Sequence, residues 1–142
     1  MDGTATQDFL QEGMAKYEAK APYPEVIGLF EKALDGDKQT KGTAYTCLSW
    51  LHALNGEFDK SAKTAKEAMR LDRTNAQAHF NLVLAMLGAG TKGVREELQR
   101  VMTITTHDAL HEAQGNLQEA IDRHPDFAAA KKLSGWLAHD DH

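Results

Sequence analysis

The stretches YPEVIGLFEKALDGD (residues 23–37) and FDKSAKTAKEAMRLD (residues 58–72) decide the fold, because they align with one another at an offset of 35 residues. Each begins with an aromatic residue and carries an alanine near its end, Ala33 in the first and Ala68 in the second. In both, the preceding segment places apolar residues at helical spacing. The alignment indicates an internal repeat built from pairs of helices.

The same period continues along the chain. From Gly56 a step of 34 residues reaches Gly90, and a second such step reaches His124, directly before Pro125. Glycine and proline are the residues that commonly end helices. We therefore predict a single domain over residues 1–142 with four units, at about residues 5–40, 41–75, 76–109 and 110–139.

Apolar residues recur at helical spacing almost everywhere, and no stretch alternates with the period of two that marks a strand. The second unit shows the helical step of three in Tyr45, Leu48, Leu51 and Leu54. Glycine, proline and asparagine interrupt the pattern at residues 21–24, 35–37, 55–56, 73–75, 88–90 and 124–125. An all-α protein is predicted. Residues 92–123 could form one long helix or two, because only β-branched residues weaken the helix between positions 102 and 108.

The composition is that of an ordinary globular protein. Of 142 residues, 42% are hydrophobic and 26% are charged, which argues against disorder. The net charge of −5 argues against nucleic acid and anionic membranes as partners. The lone cysteine, Cys47, cannot form an intramolecular disulfide, which fits a cytoplasmic location. The first residues lack the features of a signal peptide, and the nearly uncharged residues 76–91 are too short and polar to span a membrane.

These features resemble the tetratricopeptide repeat, a helix–turn–helix unit of 34 residues with small side chains where its helices cross. The second unit carries the resemblance through Tyr45, Leu48, Ala53, Gly56, Phe58, Ala62, Ala65, Ala68, Leu71 and Asp72. The first unit matches at Gly13, Tyr17, Tyr23, Phe30 and Ala33. The second helix of the third unit lacks the alanines of the family. The resemblance covers residues 5–139 and implies antiparallel helix pairs stacked as a short right-handed superhelix, capped by the last helix.

In this family the first helix of each unit lines a concave groove that receives a peptide or helix of another protein. The resemblance thus implies a partner-binding groove lined by Gln11, Met14, Thr46, Trp50, Gln77, Phe80, Asn81 and Leu84. We expect Trp50 to be the anchor, because large aromatic side chains in concave sites dominate binding energies. The alternative is that Trp50 packs in the core between the first two units.

One subtype of the family does not fit. Members that bind a terminal carboxylate use basic residues on successive first helices. The matching positions here carry no positive charge, since they are occupied by Gln11, Met14 or Ala15, Cys47, Gln77 and Asn81. An acidic terminal peptide is therefore not the expected ligand.

The sequence contains no motif of a catalytic or cofactor-binding site, so neither an enzyme nor a cofactor is predicted. His107 and His111 stand four residues apart on one predicted helix and form a weak candidate metal site without a third ligand. The terminal His139 and His142 could bind a metal adventitiously. A basic stripe without interleaved aromatic residues is interpreted as a solvated convex face; it comprises Lys60, Lys63, Lys66 and Arg70.

The leading hypothesis is a non-enzymatic adaptor whose groove binds a partner protein through apolar and amide contacts. The first alternative is a self-assembling scaffold, in which the groove or the terminal helix of one copy contacts another copy. A metal-binding protein is the second alternative.

Overall fold

The computed structural model describes residues 3–140, with side chains for residues 5–138. This part of the chain forms eight α-helices and contains no strand, which confirms the all-α prediction. The helices are α1 (Gly3–Glu18), α2 (Tyr23–Lys32), α3 (Lys38–Leu54), α4 (Phe58–Leu71), α5 (Ala76–Ala89), α6 (Val94–Ile104), α7 (His107–Arg123) and α8 (Ala128–Asp140). A 3₁₀ turn, Ala33–Asp35, continues α2.

The helices end close to the six interruptions predicted from glycine, proline and asparagine. Local chemistry fixes these ends. The Asp37 carboxylate accepts a hydrogen bond from the Thr40 amide (2.8 Å) at the start of α3, and the Asn75 side chain caps α5 in the same way. Gly90, at φ 71°, supplies the left-handed residue that ends α5.

Residues 92–123 form two helices, so the question that the sequence left open is settled. Helix α6 ends at Ile104, and α7 begins only two residues after Thr105. The hydroxyl oxygen of Thr106 accepts a hydrogen bond from the Ala109 amide (3.0 Å) and thereby caps α7. The β-branched segment that weakens the helical pattern is the segment where the break lies.

Successive helices pack against one another through short connections, α1 on α2, α3 on α4, α5 on α6 and α7 on α8. Alanines make the closest approaches possible, because Ala65 and Ala68 on α4 are fully buried between α3 and α5. The Ser61 hydroxyl donates to the Ser49 carbonyl (2.6 Å) where α4 meets α3. This arrangement is compatible with a helical repeat protein.

The buried apolar side chains form two clusters. The first joins α1, α2 and α3 around Val26, Phe30 and Leu48. The second extends from the end of α3 through α5 to α8, and Phe80 and Leu133 belong to it. Helix α8 packs on α5 as well as on α7, and exposes Lys131 and Lys132, as expected for a capping helix. The predicted outer residues Asp140 and Asp141 lie outside the described side chains.

Helix α7 brings its carboxyl-terminal end back to the first helix pair. The Tyr17 hydroxyl donates a hydrogen bond to Glu119 (2.8 Å), across 102 positions of sequence. The Arg123 guanidinium lies 4.3 Å from the centre of the Tyr17 ring. Next to it, the Tyr23 hydroxyl and His124 Nε2 form a hydrogen bond of 2.7 Å. The first and last helix pairs are therefore in direct contact through these side chains.

The structure bears on the predicted solvated stripe of α4 and on the membrane-spanning character of the helices. The basic stripe on α4 is exposed at Lys60, Lys63, Lys66 and Arg70. Within residues 3–140, no helix combines the length and the apolar character needed to cross a bilayer.

Candidate functional site

A cavity of about 220 Å³ opens on the face formed by α1, α3 and α5, and α7 bounds its remaining side. Each of these helices contributes side chains from one of its sides, because residues three and four positions apart share one side of a helix. Five of the eight predicted groove residues line the cavity: Met14, Thr46, Trp50, Gln77 and Asn81.

Trp50 is held at the cavity by a chain of hydrogen bonds. Its indole N–H donates to the Tyr17 hydroxyl oxygen (3.0 Å), and that hydroxyl donates in turn to Glu119. Burial raises the pKa of Tyr17, so its hydroxyl remains a donor over the physiological pH range. Trp50 is half-buried and also packs against the core, so the structure gives it both of the environments considered from the sequence.

Asn81 is the most buried polar residue of the cavity, at 6% exposure. Its side-chain amide donates to the Thr46 carbonyl (3.1 Å) and to the Ser49 hydroxyl oxygen (2.8 Å), both on α3. These two bonds use both amide hydrogens and fix the amide's orientation. The Asn81 carbonyl oxygen accepts no hydrogen bond from the described residues and is left as an acceptor toward the cavity.

Apolar groups complete the lining. Met14 is 44% exposed and is the large hydrophobic side chain that residues 5–138 leave most open to solvent. Cys47 lies beside it, and burial raises the pKa of its thiol to about 11. A neutral, buried thiol is a poor nucleophile, so Cys47 serves as an apolar wall and not as a reactive group.

The cavity continues into a wider groove of about 850 Å³ along α3. The two share Met14, Thr46, Cys47, Gln77 and Glu112, and the groove adds polar residues such as Thr43 and Asn75. Gln11 lies in a shallower depression between α1 and α3, which Met14 also lines. Gln11 is therefore a neighbour of the cavity without being part of its wall.

Phe80 and Leu84 differ from the sequence expectation, which placed them on an open concave surface. They are 3% and 1% exposed and belong to the core cluster of α5, α7 and α8. The physical reason is that Leu117 and Leu133 cover them, leaving a void of about 10 Å³, barely the room for one water molecule. Within this conformation they are core residues and are not open to a partner.

Helix α7 supplies site residues that the sequence reasoning missed. Glu112, Asn116 and Glu119 line the cavity opposite α3. They recur at steps of four and three, beside an apolar stripe of α7 at Leu110, Ala113, Leu117 and Ala120. These polar residues could have indicated the site from the sequence, because polar residues next to the buried face of a helix lie at the edge of a helix contact.

The weak metal candidate is not strengthened by the structure. His107 and His111 are exposed, with ring centres 4.5 Å apart. No group of three or more histidine, cysteine, aspartate or glutamate side chains that could hold a metal ion occurs among the described residues. The terminal candidates His139 and His142 lie outside the described side chains.

No protein-family model matches the sequence, and no curated protein is significantly similar to it. The geometry of the cavity is therefore the basis on which a function is proposed.

Proposed function

We propose that this protein is a tetratricopeptide-like interaction module that binds a segment of a partner protein in the cavity and in the groove continuous with it. The single observation that carries the proposal is the exposure of Met14, at 44%, in the wall of a cavity that also holds Trp50. Apolar and aromatic groups gathered in a concave site are typical of binding surfaces.

The fold supports the same proposal. Eight helices in sequential pairs with short connections are compatible with four units of the predicted kind. The polar side chains at the cavity, Thr46, Gln77 and Asn81, keep oxygen atoms that can accept hydrogen bonds from the N–H groups of an extended peptide backbone. Without a catalytic constellation in the sequence, binding is the function that these groups fit best.

The proposal is tested by selecting binders from a displayed library of random peptides. We expect the wild-type protein to enrich a defined motif, and we expect Trp50→Ala and Met14→Ala each to weaken binding of the enriched peptides by tenfold or more. Fluorescence polarisation with labelled peptides measures the dissociation constants. Met14→Ala serves beside Trp50→Ala because an exposed side chain can be shortened without disturbing the core.

The matched control is Lys63→Ala, which alters an exposed side chain on α4, away from the cavity. It should bind the enriched peptides as the wild type does. Equal binding by all four proteins, or no enrichment at all, would contradict the proposal. Light scattering on the same samples separates the self-assembly alternative, which requires an oligomer that Met14→Ala dissociates without any added peptide.

A further inference from the structure

Several hydrogen-bond donors in the cavity wall already have partners within the protein, whereas several acceptors do not. This difference favours a ligand that brings donors. The donors nearest the floor are used within the protein, since the Trp50 indole donates to Tyr17 and the Thr46 hydroxyl donates to the Gly42 carbonyl (2.8 Å). The Tyr17 hydroxyl is used as well, by Glu119. These bonds leave acceptor oxygens unused, and Asn116 on α7 adds a side-chain amide without a hydrogen bond to the described residues.

Asn81 on α5 contributes an acceptor to the cavity wall. Asn81 is more than nine-tenths buried, and both hydrogens of its amide are bound to α3. Its carbonyl oxygen has no donor among the described residues. Among the described residues this oxygen is not one of the fully buried side-chain atoms that lack a partner, so water or a donor group of a ligand can reach it.

Every charged residue that lines the cavity is acidic, and these residues are Glu18, Glu112 and Glu119. Arg123 pairs with Glu119 at 3.2 Å, through the oxygen that Tyr17 also uses, so the second carboxylate oxygen of Glu119 stays available. Glu18 and Glu112 are exposed, and neither has an ion pair within the described part of the chain. One of three carboxylates is neutralised, and two remain.

Resting on the proposed function, we propose that the cavity receives a lysine or arginine side chain of the bound partner segment. The cationic group would donate to the Asn81 carbonyl and to the carboxylates of Glu112 and Glu119. The aliphatic stem would pack against Met14 and Trp50, as long cationic side chains do on apolar surfaces. Charge-assisted hydrogen bonds of this kind are stronger and more specific than neutral ones.

The test uses five mixtures of short peptides that differ in one fixed central residue within random flanks. The fixed residues are lysine, its uncharged analogue norleucine, arginine, its uncharged analogue citrulline, and glutamate. We expect the lysine or arginine mixture to bind the wild-type protein about tenfold more tightly than its uncharged analogue, and the glutamate mixture to bind least. Affinity of the cationic mixture should fall with added salt.

Substitutions of the acidic residues test where the cationic side chain binds. Glu112→Gln and Glu18→Gln should each reduce the preference for the cationic mixture several-fold, because each removes a negative charge from the cavity wall. Both side chains are exposed, so both can change without loss of the fold. Glu31→Gln is the matched control, since Glu31 is exposed on α2 and lines neither the cavity nor the groove. It should leave the preference unchanged.

The outcomes separate the two proposals. If the uncharged analogues bind as tightly as the cationic peptides and Trp50→Ala still abolishes binding, the inference about charge is wrong and the proposed function stands. If a cationic preference persists unchanged in both Glu112→Gln and Glu18→Gln, the cation binds elsewhere and the inference is again overturned. If no mixture binds the wild-type protein, both proposals fail together.

Discussion

Trp50 and Phe80 occupy the same face of neighbouring helices and yet have different surroundings. Trp50 is half-buried at the cavity, whereas Phe80 is 3% exposed beneath α7 and α8. The difference arises from the covering helices and not from α3 or α5 themselves. Substitutions at the two sites should therefore have different effects.

We expect Phe80→Ala to lower the free energy of unfolding by roughly 3 to 5 kcal/mol, as emptying a core aromatic site does. Trp50→Ala should cost less, because its side chain is already partly hydrated and loses a single hydrogen bond to Tyr17. Urea denaturation followed by circular dichroism measures both. Equal losses would mean that Trp50 is a core residue and would remove it from the binding site.

Two glycines inside helices make a matched pair. A Cβ atom added at Gly88 would lie within 3.0 Å of three ring carbons of Phe58, whereas one added at Gly42 would meet nothing within 4 Å. Gly88→Ala should therefore destabilise the protein by roughly 1 to 3 kcal/mol through overpacking. Gly42→Ala should stabilise it by about 0.5 to 1 kcal/mol, because alanine is the better helix former. Thermal melts of both variants check the opposite signs.

At the scale of elements, the turn between α3 and α4 depends on one carboxylate. Glu57 accepts hydrogen bonds from the Asn55 side chain (3.0 Å) and from His52 Nδ1 (3.0 Å), and it pairs with Lys60. The hydrogen bond from Asn55, followed by that from His52, lowers the pKa of Glu57 from 4.5 to about 2. The carboxylate thus stabilises the folded state while it is ionised.

The lowered pKa of Glu57 determines how its contribution to stability changes with pH. A carboxyl group with a lowered pKa contributes its full stability above pH 4.5, and the contribution disappears as the pH falls toward 2. We expect Glu57→Gln to be less stable than the wild type at pH 6 and to approach it near pH 2. Urea unfolding at several pH values measures the difference, with Glu31→Gln as an exposed control. A constant difference across this range would show that Glu57 does not act through its charge.

The elements also show what could be predicted. The ends of the helices followed from Gly56, Gly90 and Pro125, because these residues act locally. The placement of Asn81 and Met14 on one face followed from the resemblance to the tetratricopeptide repeat, which implies that the first helix of each unit lines one groove. The burial of Phe80 could not be predicted in this way, because it depends on where α7 and α8 pack, and their contacts with α5 span tens of positions. The hydrophobic pattern within one helix carries no information about contacts with helices that are far away in the sequence.

At the scale of the whole molecule, the contact between α7 and α1 completes the candidate site. It places Glu119 beside Tyr17 and gives the cavity its acidic side. Without α7, the cavity would lose Glu112, Asn116 and Glu119 from its wall, and Phe80 and Leu84 would lose the cover of Leu117. The binding properties proposed above therefore depend on a contact between distant parts of the sequence.

Tyr17→Phe tests that contact. It removes the hydroxyl that accepts from Trp50 and donates to Glu119, so the free energy of unfolding should fall by roughly 1 to 3 kcal/mol. Tyr45→Phe is the control, because the Tyr45 hydroxyl forms no hydrogen bond within the described part of the chain. Chemical denaturation of both variants provides the measurement. Equal stability of Tyr17→Phe and the wild type would show that the hydroxyl does not hold α7 in place.

The return of α7 to α1 also changes how the protein can come apart. A linear row of repeats can unfold progressively from either end, because each unit contacts only its neighbours. Here the first and last helix pairs contact each other through Tyr17, Glu119 and Arg123, so local unfolding of either pair also breaks these contacts. Slow amide exchange in α1 and α7 should then require global opening and should match the exchange of α5 in its free energy.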